Sequence, residues 1–424
     1  MPQKIIEIAD GVEILYLPNK SFNTTYVSVN FYVPLCKDTV AKYALLPEIM
    51  ATCSEDYPDY MKLNFKLSSL YGADAVASVS KVGNCLCIKF SASSINNKYT
   101  FDGEKVVEDT VGLLLDLIFS PKIENDAFCE DDIKREKRKL IDRIKGDLNE
   151  KRIYARNRLI AEMFEDDPYG LYRLGTVEQV LSITGKELYS AFKEMLSSAY
   201  VRVHIIGEEE PVGIYERIKQ EFSTIDRKNI TDIKKVSLLS SRNEVKRVEE
   251  RMDVAQGKLV MGFNCNGGDD DYTLDIMLMC DIFGGGPYSR LFTNVREKMS
   301  LCYYCSAQSV RNKGYITVDC GVEQENAQKA QEAILEQLSI MKEGKFTDFE
   351  FESSLKSIKD SLKTYKDSQS GLDVWYTVKA VNEAVYSPDE IIEKLDKVSR
   401  ADVIKAAESC SINTVYLLLG EEKE

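Results

Sequence analysis

Hydrophobic and polar residues alternate over 12–17 and again over 25–33, where Val27, Val29, Phe31 and Val33 fall on one side. Successive side chains of a strand point to opposite faces, so this period predicts two strands, each with one buried face. The period then lengthens to that of helices over 40–51 and 59–70. It shortens again at 73–80 and 85–92, which read as a hairpin across Gly83-Asn84. Val106, Val107, Val111, Leu114 and Leu115 recur at helical spacing and define an amphipathic helix. Beyond Pro121, Glu130-Asp131-Asp132 open a long charged helix, with carboxylates where the helix dipole presents its positive end. Further helices lead to a strand over 201–206.

The second half runs through the same order. Strands at 248–252 and 258–265 precede helices at 272–283 and 289–298, and strands 302–310 and 315–320 form a hairpin turning at Lys313-Gly314. An amphipathic helix follows, carrying Ala327, Ala330, Ile334 and Leu338. Thr347-Asp348 cap another long helix, and a strand at 414–419 closes the series. This recurrence predicts an α+β protein of two tandem homologous lobes, each a mostly antiparallel sheet packed with helices. The expected boundaries are a first lobe over 1–207, a linker over 208–245 around one short helix, and a second lobe over 246–424. The linker is polar at both ends, in Glu208-Glu209-Glu210-Pro211 and Ser240-Ser241-Arg242-Asn243. A chain of 424 residues is long enough for two cores.

Composition narrows the class of partner. Hydrophobic residues at 44% and charged residues at 29% suit a soluble globular protein, and a net charge of −14 argues against nucleic acid and for a basic peptide. The first ten residues carry charge and no apolar run follows, so the expectation is a cytoplasmic protein with no membrane segment. Eleven cysteines, an odd number, lie partly in apolar runs such as Cys85-Leu86-Cys87-Ile88, which suits reduced thiols better than a disulfide framework.

Gly284-Gly285-Gly286-Pro287-Tyr288-Ser289-Arg290-Leu291-Phe292, then Val295-Arg296-Glu297-Lys298, Leu301 and Tyr303, resemble the second-lobe signature of the pitrilysin/insulinase family of inverzincin zinc peptidases. Pro168-Tyr169-Gly170, Gly175 and Ile205-Ile206-Gly207 are similar to its first-lobe helix-to-strand passage. The resemblance covers nearly the whole chain and implies the LuxS/peptidase-like α+β fold. An active member holds zinc with the two histidines of His-x-x-Glu-His and activates water with the Glu. Here Ala44, Pro47 and Glu48 stand at those positions, and Arg143 stands where the third ligand would be if Glu136-Lys137 is the family's Glu-Lys pair. With one histidine in the whole chain, a two-imidazole zinc site cannot be built within it. The expectation is therefore no catalytic residue, no metal and no cofactor.

What the resemblance leaves is substrate binding. Arg296 and Tyr303, seven residues apart, match an Arg and a Tyr that stabilise charge at the scissile carbonyl, and such groups can act on a neighbouring chain's metal site. The bland reading is a surface ion-pair residue and an ordinary strand aromatic. Gly284, Gly285 and Gly286 either admit a substrate backbone or form a helix C-cap and turn. Residues 72–78 match the family's substrate-pairing edge strand, with Val76 where active members carry Asn, and a plain core hairpin fits equally. His204 reads as a structural imidazole in a strand. Cys302-Tyr303-Tyr304-Cys305 is a CxxC in a predicted strand without a second CxxC, and reads as free thiols before redox or metal ligands.

The implied function is a non-catalytic subunit pairing with a zinc-bearing homologue around a peptide substrate. This chain looks most like the non-zinc members of bacterial family pairs, some of them associated with elongation factor P modification. The alternatives are a stand-alone or homodimeric peptide-binding scaffold and a thiol enzyme using Cys302 or Cys305.

Overall fold

The structure, a computed structural model, describes residues 4–208 and 210–421. Glu209 of the expected linker, and residues 1–3 and 422–424 at the ends of the expected lobes, lie outside it. Along the chain the strands are β1 (Lys4–Ala9), β2 (Val12–Pro18), β3 (Thr24–Pro34), β4 (Asp74–Val82), β5 (Cys85–Ile95), β6 (Ile123–Glu124), β7 (Ala127–Phe128), β8 (Tyr200–Gly207), β9 (Lys246–Met252), β10 (Gly257–Asn264), β11 (Cys302–Val310), β12 (Tyr315–Val322) and β13 (Ser411–Gly420). The helices of the first half are α1 (Val40–Met50), α2 (Tyr60–Ser69), α3 (Val106–Phe119), α4 (Glu130–Asn149), α5 (Lys151–Met163), α6 (Val177–Ser182), α7 (Gly185–Ser198) and α8 (Val212–Ser223). Those of the second are α9 (Asp270–Gly284), α10 (Ala327–Lys342), α11 (Asp348–Thr364), α12 (Gln369–Lys379), α13 (Pro388–Leu395) and α14 (Arg400–Ser409).

The repeat is visible in strand order. One sheet runs β1-β2-β8-β3-β5-β4; the other, read from its far edge, runs β9-β13-β10-β12-β11. In each, the first repeated pair is parallel, β2 with β8 and β9 with β13, and the rest are antiparallel. β1 has no counterpart, and the sequence pattern did not show it because none of its residues is fully buried.

Two elements differ from expectation for identifiable reasons. The helix expected at 289–298 is a π-helix over Leu291–Lys298, with Met299 N–H donating to Asn294 O at 3.0 Å. Asn294 gives its side-chain amide to Arg290 O at 3.0 Å, taking the acceptor that an α-turn would use. Arg290 is itself buried against Glu350, 3.2 Å away. The second difference is the boundaries. The chain forms two compact units, one of the described residues of Met1–Lys145, Leu171–Lys235 and Gln369–Ala380, the other of Gly146–Gly170, Val236–Ser368 and Val381–Glu424. The contiguous division 1–207, 208–245, 246–424 is thus corrected. Helix α5 belongs to the second unit and α12, its repeat equivalent, to the first. The stretch 208–245 is no free linker either: α8 buries Ile214, Tyr215, Ile218 and Phe222 in the first unit, while Leu239 N–H bonds Lys313 O at 2.9 Å in the second.

The exchange explains the cores. In the first unit the odd residues of β3 form the apolar face, where Phe31 meets Phe90 edge-on at 6.2 Å and Phe222 at 6.5 Å. The even residues, Ser28, Asn30 and Tyr32, are equally buried, under α12. Asp373 on that helix accepts from Ser28, from the Lys89 ammonium and from His204 Nδ1 at 2.8 Å, and Tyr32 donates its hydroxyl to Thr377 O at 3.0 Å. In the second unit α5 lies on β10 and β13, where Gly262 leaves room for the Met163 side chain, a Cβ there falling 2.2 Å from the sulfur. Arg156 Nε donates to the buried Asp319 at 3.1 Å, and Arg158 Nε to Glu250 at 3.4 Å. Periodicity can show which face of a helix is buried. It cannot show against which sheet.

Candidate functional site

In the first unit the positions expected of a zinc site do meet. Helix α1 carries Ala44 and Pro47, both buried, and the half-buried Glu48, which accepts from Arg143 Nη2 on α4. Glu136, 1% exposed on α4, takes Arg135 Nε at 2.7 Å and Lys139 Nζ at 3.0 Å. Burial raises the Glu48 pKa, Arg143 opposes this, and the Glu136 carboxylate adds to it. Helix spacing has put residues 48 and 143 face to face, where two ligands would have to be. The chemistry is different: a guanidinium fills the cationic role beside Glu48, and neither Ala44 nor Pro47 offers a donor atom.

In the second unit Gly284 ends α9 and Gly285 caps it, and neither these nor Gly286 has a left-handed backbone. A Cβ on Gly284 would lie 2.6 Å from the Ala307 nitrogen, and one on Gly286 2.8 Å from the Tyr288 ring. Gly284 gives close approach between the end of α9 and β11, and Gly286 makes room for the Tyr288 ring.

The π-helix that follows carries Arg296. Its Nε donates to the Tyr303 carbonyl at 2.9 Å, and its guanidinium carbon sits 4.5 Å from the Phe292 ring centre. The seven-residue interval therefore does bring Arg296 and Tyr303 together, side chain to backbone. Tyr303 is 58% exposed on β11, an edge strand, and its hydroxyl donates to the Glu323 carboxylate, which raises its pKa. A half-buried cation, paired with Glu297 at 3.3 Å, and a phenol proton thus stand at one strand end, the proton committed to Glu323.

The CxxC acquires a third member. Cys305 pairs with Cys320 across the β11–β12 hairpin, and the sulfurs of Cys302, Cys305 and Cys320 all lie within 4.8 Å of one another. Hydrogen bonds from the other two thiols, with a smaller contribution from the charge of Arg296, hold the Cys302 thiol well below its ordinary value although burial opposes them. The residue sequence reasoning missed is Cys320. The signal was available, since pairing Val310 with Tyr315 around the Lys313-Gly314 turn fixes Cys305 opposite Cys320.

Two further candidates find their places. His204 is fully buried in the first unit, where burial lowers its pKa, and it orients toward Asp373 alone. β4 lies at the edge of its sheet with Val76 55% exposed, so residues 74–78 form the edge strand expected there.

Comparison with known proteins agrees with this geometry. Residues 182–358 match the peptidase M16 inactive domain. Over 414 residues the chain is 30% identical to the probable inactive metalloprotease YmfF of Bacillus subtilis, covering 97% of this chain and 96% of that protein. The chain belongs to the peptidase M16 inactive-domain family. Another relative, the uncharacterized zinc protease YmxG of the same bacterium, is 23% identical and aligns over 72% of this chain and 74% of its own length. A conserved protein from Enterococcus faecalis V583 shares the fold with a TM-score of 0.92 at 26% identity, covering 100% of this chain and 99% of that one. The inverzincin resemblance thus holds at the level of an inactive M16 metalloprotease relative. Among the described residues no helix is long and apolar enough to cross a membrane.

Proposed function

We propose that this chain is the non-catalytic subunit of a two-chain zinc metallopeptidase, lending Arg296 and Tyr303 to a zinc-bearing homologue that cleaves a peptide. The observation that carries the reading is the contrast between the two motifs. The metal-binding positions are occupied by an ion pair, Glu48 with Arg143, whereas the half-buried Arg296, its side chain 38% exposed, and the exposed Tyr303 are joined at one strand end. A cation and a hydroxyl donor there suit an oxyanion developing on a carbonyl that another chain's metal polarises. The oxyanion would take the Tyr303 proton that Glu323 now accepts. The presence in B. subtilis of both an inactive and a zinc-protease relative supports a division of labour between chains. Eleven free thiols suit a reducing, cytoplasmic compartment.

The test is to co-express the chain with an M16 zinc protease from the same organism and follow peptide cleavage. Arg296→Ala and Tyr303→Phe should each lower kcat/KM by about 100-fold, with the zinc content of the partner unchanged. Cleavage at the native rate in both variants would overturn the reading. A second reading, a stand-alone or homodimeric peptide-binding scaffold, is favoured by the free edge of β4, which can accept an extended peptide as an added strand. Peptide binding by the purified chain alone, abolished by a proline in β4, would support it.

A further inference from the structure

Among the described residues, Cys302, Cys305 and Cys320 are the one group of three or more potential ligands whose donor atoms all lie within 4.8 Å. We propose that they form a three-thiolate site for a thiophilic d10 metal ion, separate from the lost zinc position of the family. Three features carry this. The first is geometry: metal–sulfur bonds of about 2.3 Å place three sulfurs around one ion at mutual distances just under 4 Å, and these are already gathered to nearly that spacing. The second is rigidity. Cys305 and Cys320 are a directly opposed cross-strand pair, 5% and 1% exposed, so two ligands are fixed by the hairpin before any ion arrives. The third is access and charge. Cys302 is only partly buried, at the start of the edge strand β11, which gives an entry path, and the positive charge of Arg296 acts on its sulfur.

The donor set selects the ion. Thiolates favour soft cations such as monovalent copper and zinc over magnesium or calcium. No carboxylate or imidazole joins the group among the described residues, so the ion is either three-coordinate, as monovalent copper accepts, or keeps a fourth position for an outside ligand, as zinc does. Cys302 and Cys305 bracket Tyr303, so an occupied site clamps the segment that presents this residue. Cys265, Cys280 and Cys410 supply an internal contrast. Cys410 lies close enough to act on both Cys265 and Cys280, yet the three sulfurs do not meet the same spacing, and burial raises all three thiols.

The inference stands on the thiols alone and does not depend on a partner subunit. The full chain, reduced with a phosphine, is titrated separately with Zn²⁺ and with Cu⁺ against chromophoric competitors, and with Co²⁺ to read the thiolate-to-metal charge-transfer band. One equivalent bound with either Zn²⁺ or Cu⁺, and that band with Co²⁺, is the expected result. Cys302→Ser, at the half-exposed position where folding is least at risk, should weaken binding at least about tenfold, and Cys320→Ser likewise, while Cys280→Ser leaves it unchanged. No tight equivalent of either ion, or binding indifferent to Cys302→Ser and Cys320→Ser, overturns the site. So does a disulfide among the three in protein isolated under thiol-trapping conditions.

Discussion

The two units exchange equivalent helices but hold them with opposite charge. In the first, the anion is on the incoming helix, Asp373 of α12, and the donors Ser28, Lys89 and His204 are on the sheet. In the second, the cations are on the incoming helix, Arg156 and Arg158 of α5, and the acceptors Asp319 and Glu250 are on the sheet. Topology has been duplicated and recognition has not. Were α12 laid on the second sheet, Asp373 would face a sheet surface already carrying buried Asp319; were α5 laid on the first, its arginines would face Lys89. Like charges held apart from water cost several kcal/mol, so the polarity specifies which helix completes which sheet.

The contrast breaks most visibly at Asp373, 2% exposed beside a Lys89 side chain only 13% exposed. Asp373→Asn leaves an ammonium without its partner in a dry setting, and a loss of about 3 kcal/mol in urea unfolding is expected. Adding Lys89→Met should recover part of it; no recovery would mean that the pair is not what holds the helix. A smaller effect is expected in the second unit. Arg156 is 32% exposed, Arg152 also lies 3.8 Å from Asp319, and water screens what remains, so Arg156→Met should cost about 1–2 kcal/mol. A loss equal to that of Asp373→Asn would erase the asymmetry.

The smallest effect is on pH dependence, and it sharpens the comparison because the chain has one histidine. Burial holds His204 below its ordinary value of about 6.5. The unfolded chain therefore takes up that proton first, and the stability contributed is full above about pH 6.5 and lost as pH falls toward the folded value. Burial also pushes Asp373 up, but the hydrogen bond from the neutral His204 and the charge and hydrogen bond of Lys89 outweigh it and hold the carboxyl below the usual range. Its contribution is lost at still lower pH, in the same direction. His204→Gln should flatten the stability profile below about pH 6.5, whereas Arg156→Met should leave its slope unaltered.

Much of this fold was legible residue by residue. Alternation found β3 and β10, the Gly83-Asn84 and Lys313-Gly314 turns found both hairpins, and Thr347 does cap α11. The loss of the two-histidine motif was legible too, because Ala44 has no donor atom for a metal and Pro47 no group to take a proton, whatever the fold. What stayed hidden depended on pairing across distance. Ser28 and Asn30 fall on the face of β3 opposite its apolar side chains, and His204 read as a structural imidazole with no partner assigned. Their burial needs a helix some 345 residues away from Ser28 to arrive with a complementary carboxylate. Cys320 was passed over for a lesser form of the same reason, since it joins the CxxC only once the hairpin register is worked out from the turn.

The late arrival of α12 has a consequence for synthesis. At about 5–20 residues per second, on the order of 10–35 s separate the emergence of β8 from that of the helix that covers its sheet. Through that interval the nascent protein presents a broad surface of hydroxyl, amide and imidazole groups where most half-made sheets would present bare hydrocarbon. Water can solvate it until the lid is translated, so the polar interior that looks costly in the finished molecule keeps the growing one from sticking to its neighbours.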